Sequence, residues 1–296
     1  MNNKVVVSAP AKINLCLNIT GTDSRGYHSL ETVMQSVALS DTLVIQKCSD
    51  IRSVNITCNN PGVPTGAHNI IHKAAELFFK ETGITPTGLL VGLDKVIPMQ
   101  AGLAGGSTNA AAMLVGLNFL FQTSLNTKKL CEIGVKCGAD VPFCIVGGCQ
   151  FASGIGEILT PIDDFPQCSI VIAKPPIGMS TEAAFKIYDS QGRDFKQADI
   201  KVMWSAIRAT NLVKIGENMI NVFEQVIHMP EVVRLKEVLI NGGAVGAAMS
   251  GSGTAVFGIF DNRTEAEASI KHLSNYSCEV FLTVPVTYGS KILNIE

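Results

Sequence analysis

The residues best suited to chemistry lie in four short stretches. The densest is 98–111, PMQAGLAGGSTNAA, where Gly102, Gly105 and Gly106 precede Ser107, Thr108 and an apolar run that predicts a helix. Residues without side chains let the backbone approach an anion closely, and the first N–H groups of a helix point outward with the positive end of its dipole behind them. The chemistry on offer is phosphate binding. A tight turn that packs its helix closely on a neighbour would use the same glycines, and glycines alone do not separate the two. The stretch is not a Walker loop, because no Gly-Lys-Ser/Thr follows, nor the dinucleotide fingerprint, whose glycine spacing differs.

The second stretch, 8–14, places Lys12 and Asn14 at the start of an otherwise apolar strand, where a lysine commonly snorkels to solvent. In the third, 137–142, Asp140 falls between a helix stop and Pro142, so its carboxylate is suited to capping the next helix as well as to accepting a proton. The fourth, 249–254, reads MSGSGT, a small-residue turn between two strands of the kind many hairpins carry.

Holding these stretches together calls for a mixed framework. Ile13, Leu15, Leu17 and Ile19 alternate with polar or small residues, the period of a half-buried strand. The turn-rich GTDSRGYH, 21–28, follows. Further strands are predicted over 42–46, 54–58 and 89–93, with a helix over 70–80 that Asn69 caps and Gly83 stops. An apolar helix over 107–121 and a shorter one ending near Gly138 come next, and the glycine-bearing 153–167 suggests a linker. Beyond it lie a strand over 169–173 and helices over 181–188 and 217–227. Another helix opens at Pro230 and is ended by Gly242 and Gly243. Strand, glycine loop and strand over 247–260 lead to a helix opened by a Thr264/Glu267 capping box and to a final strand from Cys278. This order predicts an α+β fold with helices on antiparallel sheets, and the length predicts two domains, 1–160 and 161–296.

Composition narrows the functional classes. Of the 296 residues, 47% are hydrophobic and 16% charged, a globular protein with a large core. A net charge of −2 supplies no basic field for nucleic acid or an anionic membrane, so any phosphate site must be local. The nine cysteines contain no CxxC pair, which predicts reduced thiols in a cytoplasmic protein rather than a disulfide framework or zinc site. The amino terminus lacks a signal-peptide pattern, and the apolar stretch 110–121 is too short to cross a bilayer. Nothing in the sequence sets the oligomeric state.

Together the four stretches resemble the GHMP kinase superfamily, which includes galactokinase, homoserine kinase and mevalonate kinase, in motif order over nearly the whole chain. Gly26-Tyr27-His28, the run Gly138–Phe143 and Gly154-Ile155-Gly156-Glu157 are most similar to the branch that phosphorylates 4-diphosphocytidyl-2-C-methyl-D-erythritol. The resemblance implies a two-domain GHMP fold, with an ATP-binding, catalytic domain over 1–160 and a C-terminal domain of helices on an antiparallel sheet. It implies ATP and Mg2+ as cofactors, that cytidine compound as the small-molecule partner, and Lys12 with Asp140 as catalytic pair within hydrogen-bonding reach. Pro98, Gly102, Leu103, Ala104, Gly105, Gly106, Ser107 and Thr108 would hold the phosphates, with the Ser107 or Thr108 hydroxyl available to the metal. Asn69 and Lys95 would line the adenine pocket, although a helix cap and a solvated turn lysine explain them equally. Asn14, Tyr27, His28, Asp140 and Thr181 would meet the alcohol substrate, Tyr27 stacking on cytosine and His28 reading its edge. No protein ligand for a metal is assigned: His68 and His72, at i, i+4 spacing, read as a helix face. Three departures from the family pattern stand out: Arg25 before the GYH element, and Ala104 and Gln100 in the loop. Two rival readings are a GHMP kinase for another alcohol and a non-catalytic protein of the same fold.

Overall fold

The chain was analysed as a computed structural model that describes residues 3–24, 26–192 and 195–295. Two long strands, β1 (Lys4–Thr22) and β2 (His28–Cys48), form an antiparallel hairpin that spans the molecule. They are followed by β3 (Val54–Cys58), α1 (Ile70–Thr82), β4 (Gly88–Asp94), α2 (Gly105–Leu120), α3 (Thr127–Cys137), α4 (Val141–Val146), β5 (Cys149–Ser153) and β6 (Ile158–Pro161). As expected, Asn69 caps α1 by accepting from Ile71 N, and Gly83 ends it in the left-handed region. The second half comprises β7 (Ser169–Lys174), α5 (Thr181–Ser190), α6 (Ile200–Arg208), α7 (Leu212–Glu217), α8 (Val222–Val226), α9 (Pro230–Asn241), β8 (Gly246–Met249), β9 (Val256–Phe260), α10 (Arg263–Leu273), β10 (Glu279–Thr283) and β11 (Lys291–Ile295). Among the described residues the strands make two sheets. One is ordered β11-β1-β2-β4-β3, with β5 and β6 continuing from β2; the other is ordered β10-β7-β9-β8.

The structure corrects several expectations. Strand β1 is buried on both faces over most of its length, Asn14, Cys16 and Asn18 included. Helix α2 covers one face and the second sheet with its helices covers the other. The pairing of β1 with β2 shifts register between Pro10 and Lys12, and the shift reverses which face the apolar residues take. Val5, Val7 and Ala9 pack in the core with α2, whereas Ala11, Ile13 and Leu15 pack with residues of the second sheet. Lys12 and Asn14 are thereby turned to the side of the glycine loop, whose Leu103 O accepts from Lys12 N.

The expected linker carries β6, paired with β5. Of the expected helix over 217–227 only α8 forms, started by the Asn221 cap, while α6 and α7, the latter capped by Asn211 and ending at Glu217, were not anticipated. Helix α10 is capped by Asn262 rather than Thr264, while Glu267 pairs with Arg263. The last strand, β11, returns to pair with β1 in the first sheet. No helix among the described residues is long and apolar enough to cross a membrane.

Candidate active site

A cavity of about 1280 Å3 opens where the start of α2, the β1–β2 hairpin and α5 converge. All but one of the site residues expected from sequence line it. The exception is Thr108, which is fully buried and donates its hydroxyl to Pro10 O at 2.8 Å, fastening α2 to β1.

The two readings of the glycine loop both describe part of it. Gly102, at φ 74°, packs so closely on the second half that a Cβ there would lie 1.8 Å from Ser250 O. Gly105 and Gly106 instead begin α2 at the cavity wall. Position 104, the N-cap of α2, is left-handed at φ 56°, ψ 28°, and offers no side-chain cap. The first N–H groups of a 16-residue helix therefore face the cavity without a capping side chain, which suits an anion. Gln100, the other departure in the loop, is also left-handed at φ 50°, and its side chain packs on Gly178. Arg25 lies outside the described residues.

Lys12 is 4% exposed. Its ammonium donates to Asn14 Oδ1 at 2.6 Å and lies 3.7 Å from Asp140 Oδ2, an ion-pair distance longer than the hydrogen bond expected. Asp140 occupies the N-cap position of α4 but makes no capping bond, so its carboxylate is not committed to the helix. Asn14 is fixed from behind: Nδ2 donates to Thr32 Oγ1, which donates to Cys16 O, and its backbone N–H donates to Ser250 Oγ. Ser250 Oγ donates in turn to Gly102 O. One hydroxyl thus joins the MSGSGT turn, the lysine strand and the glycine loop. Asn221 holds that turn, donating to Met249 O and Gly251 O at 2.8 Å each.

Lys95 is not a solvated turn lysine. Its side chain is buried and its ammonium lies 2.9 Å from Asp41 Oδ2. Asp41 also accepts from Val96 N, Ile97 N and Asn109 Nδ2, tying the approach to the loop to α2. Asn69 spends its carboxamide oxygen on the α1 cap and donates to Pro64 O at 2.6 Å, with its residue on the cavity wall. His68 precedes α1 and lines the cavity, whereas His72 lies within α1, so the two do not share a helix face.

At the other end, Tyr27 is 58% exposed in the hairpin turn, where Asp23 accepts from its N–H at 2.9 Å. His28 opens β2 and stacks on Phe185 of α5 with ring centroids 4.5 Å apart and planes at 12°. Its Nε2 is 2.7 Å from Asp189 Oδ1. Thr181, at the start of α5, has its hydroxyl 3.3 Å from that of Ser252, which brings α5 to the MSGSGT turn. Sequence reasoning missed Asp41, Thr32, Asn221, Phe185 and Asp189. Thr32 closes the run that the GYH element opens, whereas the other four stand in no recognisable motif; Phe185 lies on the helix predicted over 181–188, but Asp189 falls one residue past it, so their i, i+4 spacing was not apparent.

A glycine-rich helix start facing one cavity with a buried lysine and an uncommitted carboxylate defines a small-molecule phosphotransferase. Comparison with known proteins makes the class definite. Residues 69–148 match the model of the GHMP kinases N terminal domain and residues 204–277 that of the GHMP kinases C terminal. The chain is 40% identical over 279 residues to the 4-diphosphocytidyl-2-C-methyl-D-erythritol kinase of Caldicellulosiruptor bescii, covering 94% of this chain and 96% of that protein. It is also 40% identical to the enzyme of that name from Acetivibrio thermocellus, with 94% and 98% covered. A crystal structure of 4-(cytidine 5'-diphospho)-2C-methyl-D-erythritol kinase superposes with a TM-score of 0.78 at 27% identity, over 95% of this chain and 98% of that one. A homoserine kinase from Cytophaga hutchinsonii, TM-score 0.76 at 19% identity over 99% and 98%, shares the fold. The chain belongs to the 4-diphosphocytidyl-2-C-methyl-D-erythritol kinase family of the GHMP kinases.

Proposed function

We propose that the protein transfers the γ-phosphoryl group of ATP to the C2 hydroxyl of 4-diphosphocytidyl-2-C-methyl-D-erythritol, giving the 2-phosphate and ADP, a step in non-mevalonate isoprenoid biosynthesis. The observation that carries this reading is the Lys12–Asp140 pair in one cavity with the uncapped start of α2. Phosphoryl transfer leaves little covalent work to the protein beyond alignment and charge stabilisation. Asp140 accepts the proton of the attacking hydroxyl. Lys12, held by Asn14, faces that carboxylate as its counter-charge and draws on the charge of the γ-phosphate. The N–H groups at Gly105, Gly106 and Ser107 take the β- and γ-phosphates, with Pro98, Gly102, Leu103 and Ala104 shaping the approach and Thr108 fixing the loop from behind. Asn69 and Lys95 border the adenine, and Thr181 closes over the diphosphate from α5.

Magnesium fits this donor set as a phosphate-held ion. The Ser107 hydroxyl would complement phosphate oxygens and water, and the ion would neutralise charge on the β- and γ-phosphates. Tyr27 and the rings about His28 take the cytosine, the aromatic surface supplying stacking and His28 the edge contact. Residues 1–160 then form the nucleotide and catalytic half and 161–296 the half that closes the site. A cytoplasmic setting, where unpaired thiols survive, belongs to the same reading.

The test is to incubate the purified protein with ATP, Mg2+ and a panel of alcohols that includes the cytidine compound, homoserine and mevalonate. The expected product is the 2-phosphate of the cytidine compound alone. Turnover of another alcohol in its place would sink the proposal.

A further inference from the structure

Helix α5 brings two groups to His28 from successive turns. Phe185 stacks on its ring, and Asp189, four residues on, places Oδ1 2.7 Å from Nε2. Tyr188 adds an edge contact at 5.8 Å. The imidazole is therefore fixed in plane, face and edge before any ligand arrives, and its side chain is only 14% exposed. Lys186 does not neutralise Asp189, because it is paired with Glu182 at 2.6 Å.

A carboxylate only accepts hydrogen bonds, so the partner nitrogen of a 2.7 Å contact must carry the proton. In a neutral imidazole the other nitrogen then presents a lone pair, and the orientation of the second nitrogen follows from the bond made by the first. Among the described residues no hydrogen bond reaches His28 Nδ1. We infer that Asp189 is a specificity-determining residue: by holding the proton of His28 on Nε2 it makes Nδ1 an acceptor toward the base, and so selects cytosine over uracil. The two bases differ at C4, where cytosine carries an amino donor and uracil a carbonyl acceptor. An acceptor facing that position bonds the first and opposes the second with lone pair against lone pair, a difference that a site built around hydrogen bonds turns into strong discrimination. Asp189 touches no reacting atom; it acts through His28. The inference rests on the reading of His28 as the base-reading residue.

The experiment compares the wild-type protein with Asp189→Asn and His28→Ala on 4-diphosphocytidyl-2-C-methyl-D-erythritol and its uridine counterpart. An asparagine in place of Asp189 keeps the size but donates as readily as it accepts, so the tautomer is no longer fixed. In Asp189→Asn the preference in kcat/KM for the cytidine compound is expected to fall at least tenfold, through KM rather than kcat, with the KM for ATP unchanged. Long-range proton–nitrogen spectra of histidine-labelled wild-type protein should show His28 protonated on Nε2, and those of the variant a shift toward Nδ1. An unchanged preference in Asp189→Asn, or a wild-type His28 protonated on Nδ1, overturns the inference. If His28→Ala also leaves the cytidine KM and the preference unchanged, the base-reading role itself fails. If His28→Ala loses the preference while Asp189→Asn keeps it, only the role of Asp189 fails. Asp189 is 54% exposed, so the variant keeps the fold, which a melting curve checks, and the wild-type spectra decide independently of any variant.

Discussion

The ammonium of Lys12 and the carboxylate of Asp140 face each other at 3.7 Å, one from the buried middle of a strand, the other from the N-cap position of a short helix. Lys12 gives one of its donors to Asn14 on its own strand, whereas Asp140 makes no capping bond to its helix, and in the proposed mechanism the pair serves proton and charge transfer. Asp140→Asn removes the proton acceptor and keeps the shape. Turnover is expected to fall by roughly 10²–10⁴-fold, the usual worth of a positioned general base, while nucleotide affinity by calorimetry stays close to that of the wild type. Undiminished turnover would remove Asp140 from the mechanism.

The loop makes two opposite glycine predictions. Gly102→Ala places a Cβ 1.8 Å from Ser250 O in a left-handed backbone, so the loop must move away from the MSGSGT turn. The expected outcome is a lower melting temperature and a raised KM for ATP. Ala104→Gly removes the strain of an alanine at φ 56° and is expected to be neutral or stabilising by about 0.5–1 kcal/mol, with nucleotide binding retained. A destabilised Ala104→Gly would show that the alanine methyl contributes packing that outweighs the strain.

Asp41→Asn tests the support beneath the loop. Asp41 is fully buried and pairs with Lys95, so the substitution leaves a buried ammonium short of its counter-charge. A loss of about 3–5 kcal/mol in unfolding free energy is expected from denaturant titration. Asp41→Asn together with Lys95→Met should recover part of it, since the stranded charge is then gone.

Burial pushes the Cys16 and Cys168 thiols up to about 12, and shifts Cys144 and Cys149 further in the same direction. The thiolate is the reactive form and a raised value depletes it, so near pH 8 these four remain protonated as well as shielded. Intact-mass measurement after alkylation at that pH should find label at the half-buried Cys48 and Cys58 before any of the four, with activity retained. Denaturant should expose all nine cysteines. Early labelling of Cys144, which lies near Asp140, would point to an opening of α4 in the native state.

What the sequence determined by itself was local or carried by a motif. The cap at Asn69, the stop at Gly83, the proline start of α9 and the helix after the glycine loop follow from backbone preferences within a few residues. The four chemical stretches were legible because phosphate binding and proton transfer restrict residue types at fixed spacing. Tertiary structure decided how each residue is used. Whether Asp140 capped a helix or faced a lysine depended on a strand distant in sequence, and Lys95 became buried because Asp41, on another strand, met it. The face taken by Lys12 and Asn14 was set by a register shift that no alternation in β1 reveals. His28 illustrates the division most sharply: its place in the GYH turn is written in the sequence, but the carboxylate that meets its Nε2, that of Asp189, is brought within 2.7 Å only by the docking of α5. Local preferences act along the chain, whereas charge, burial and hydrogen bonding act through space, and only the folded chain sets those distances.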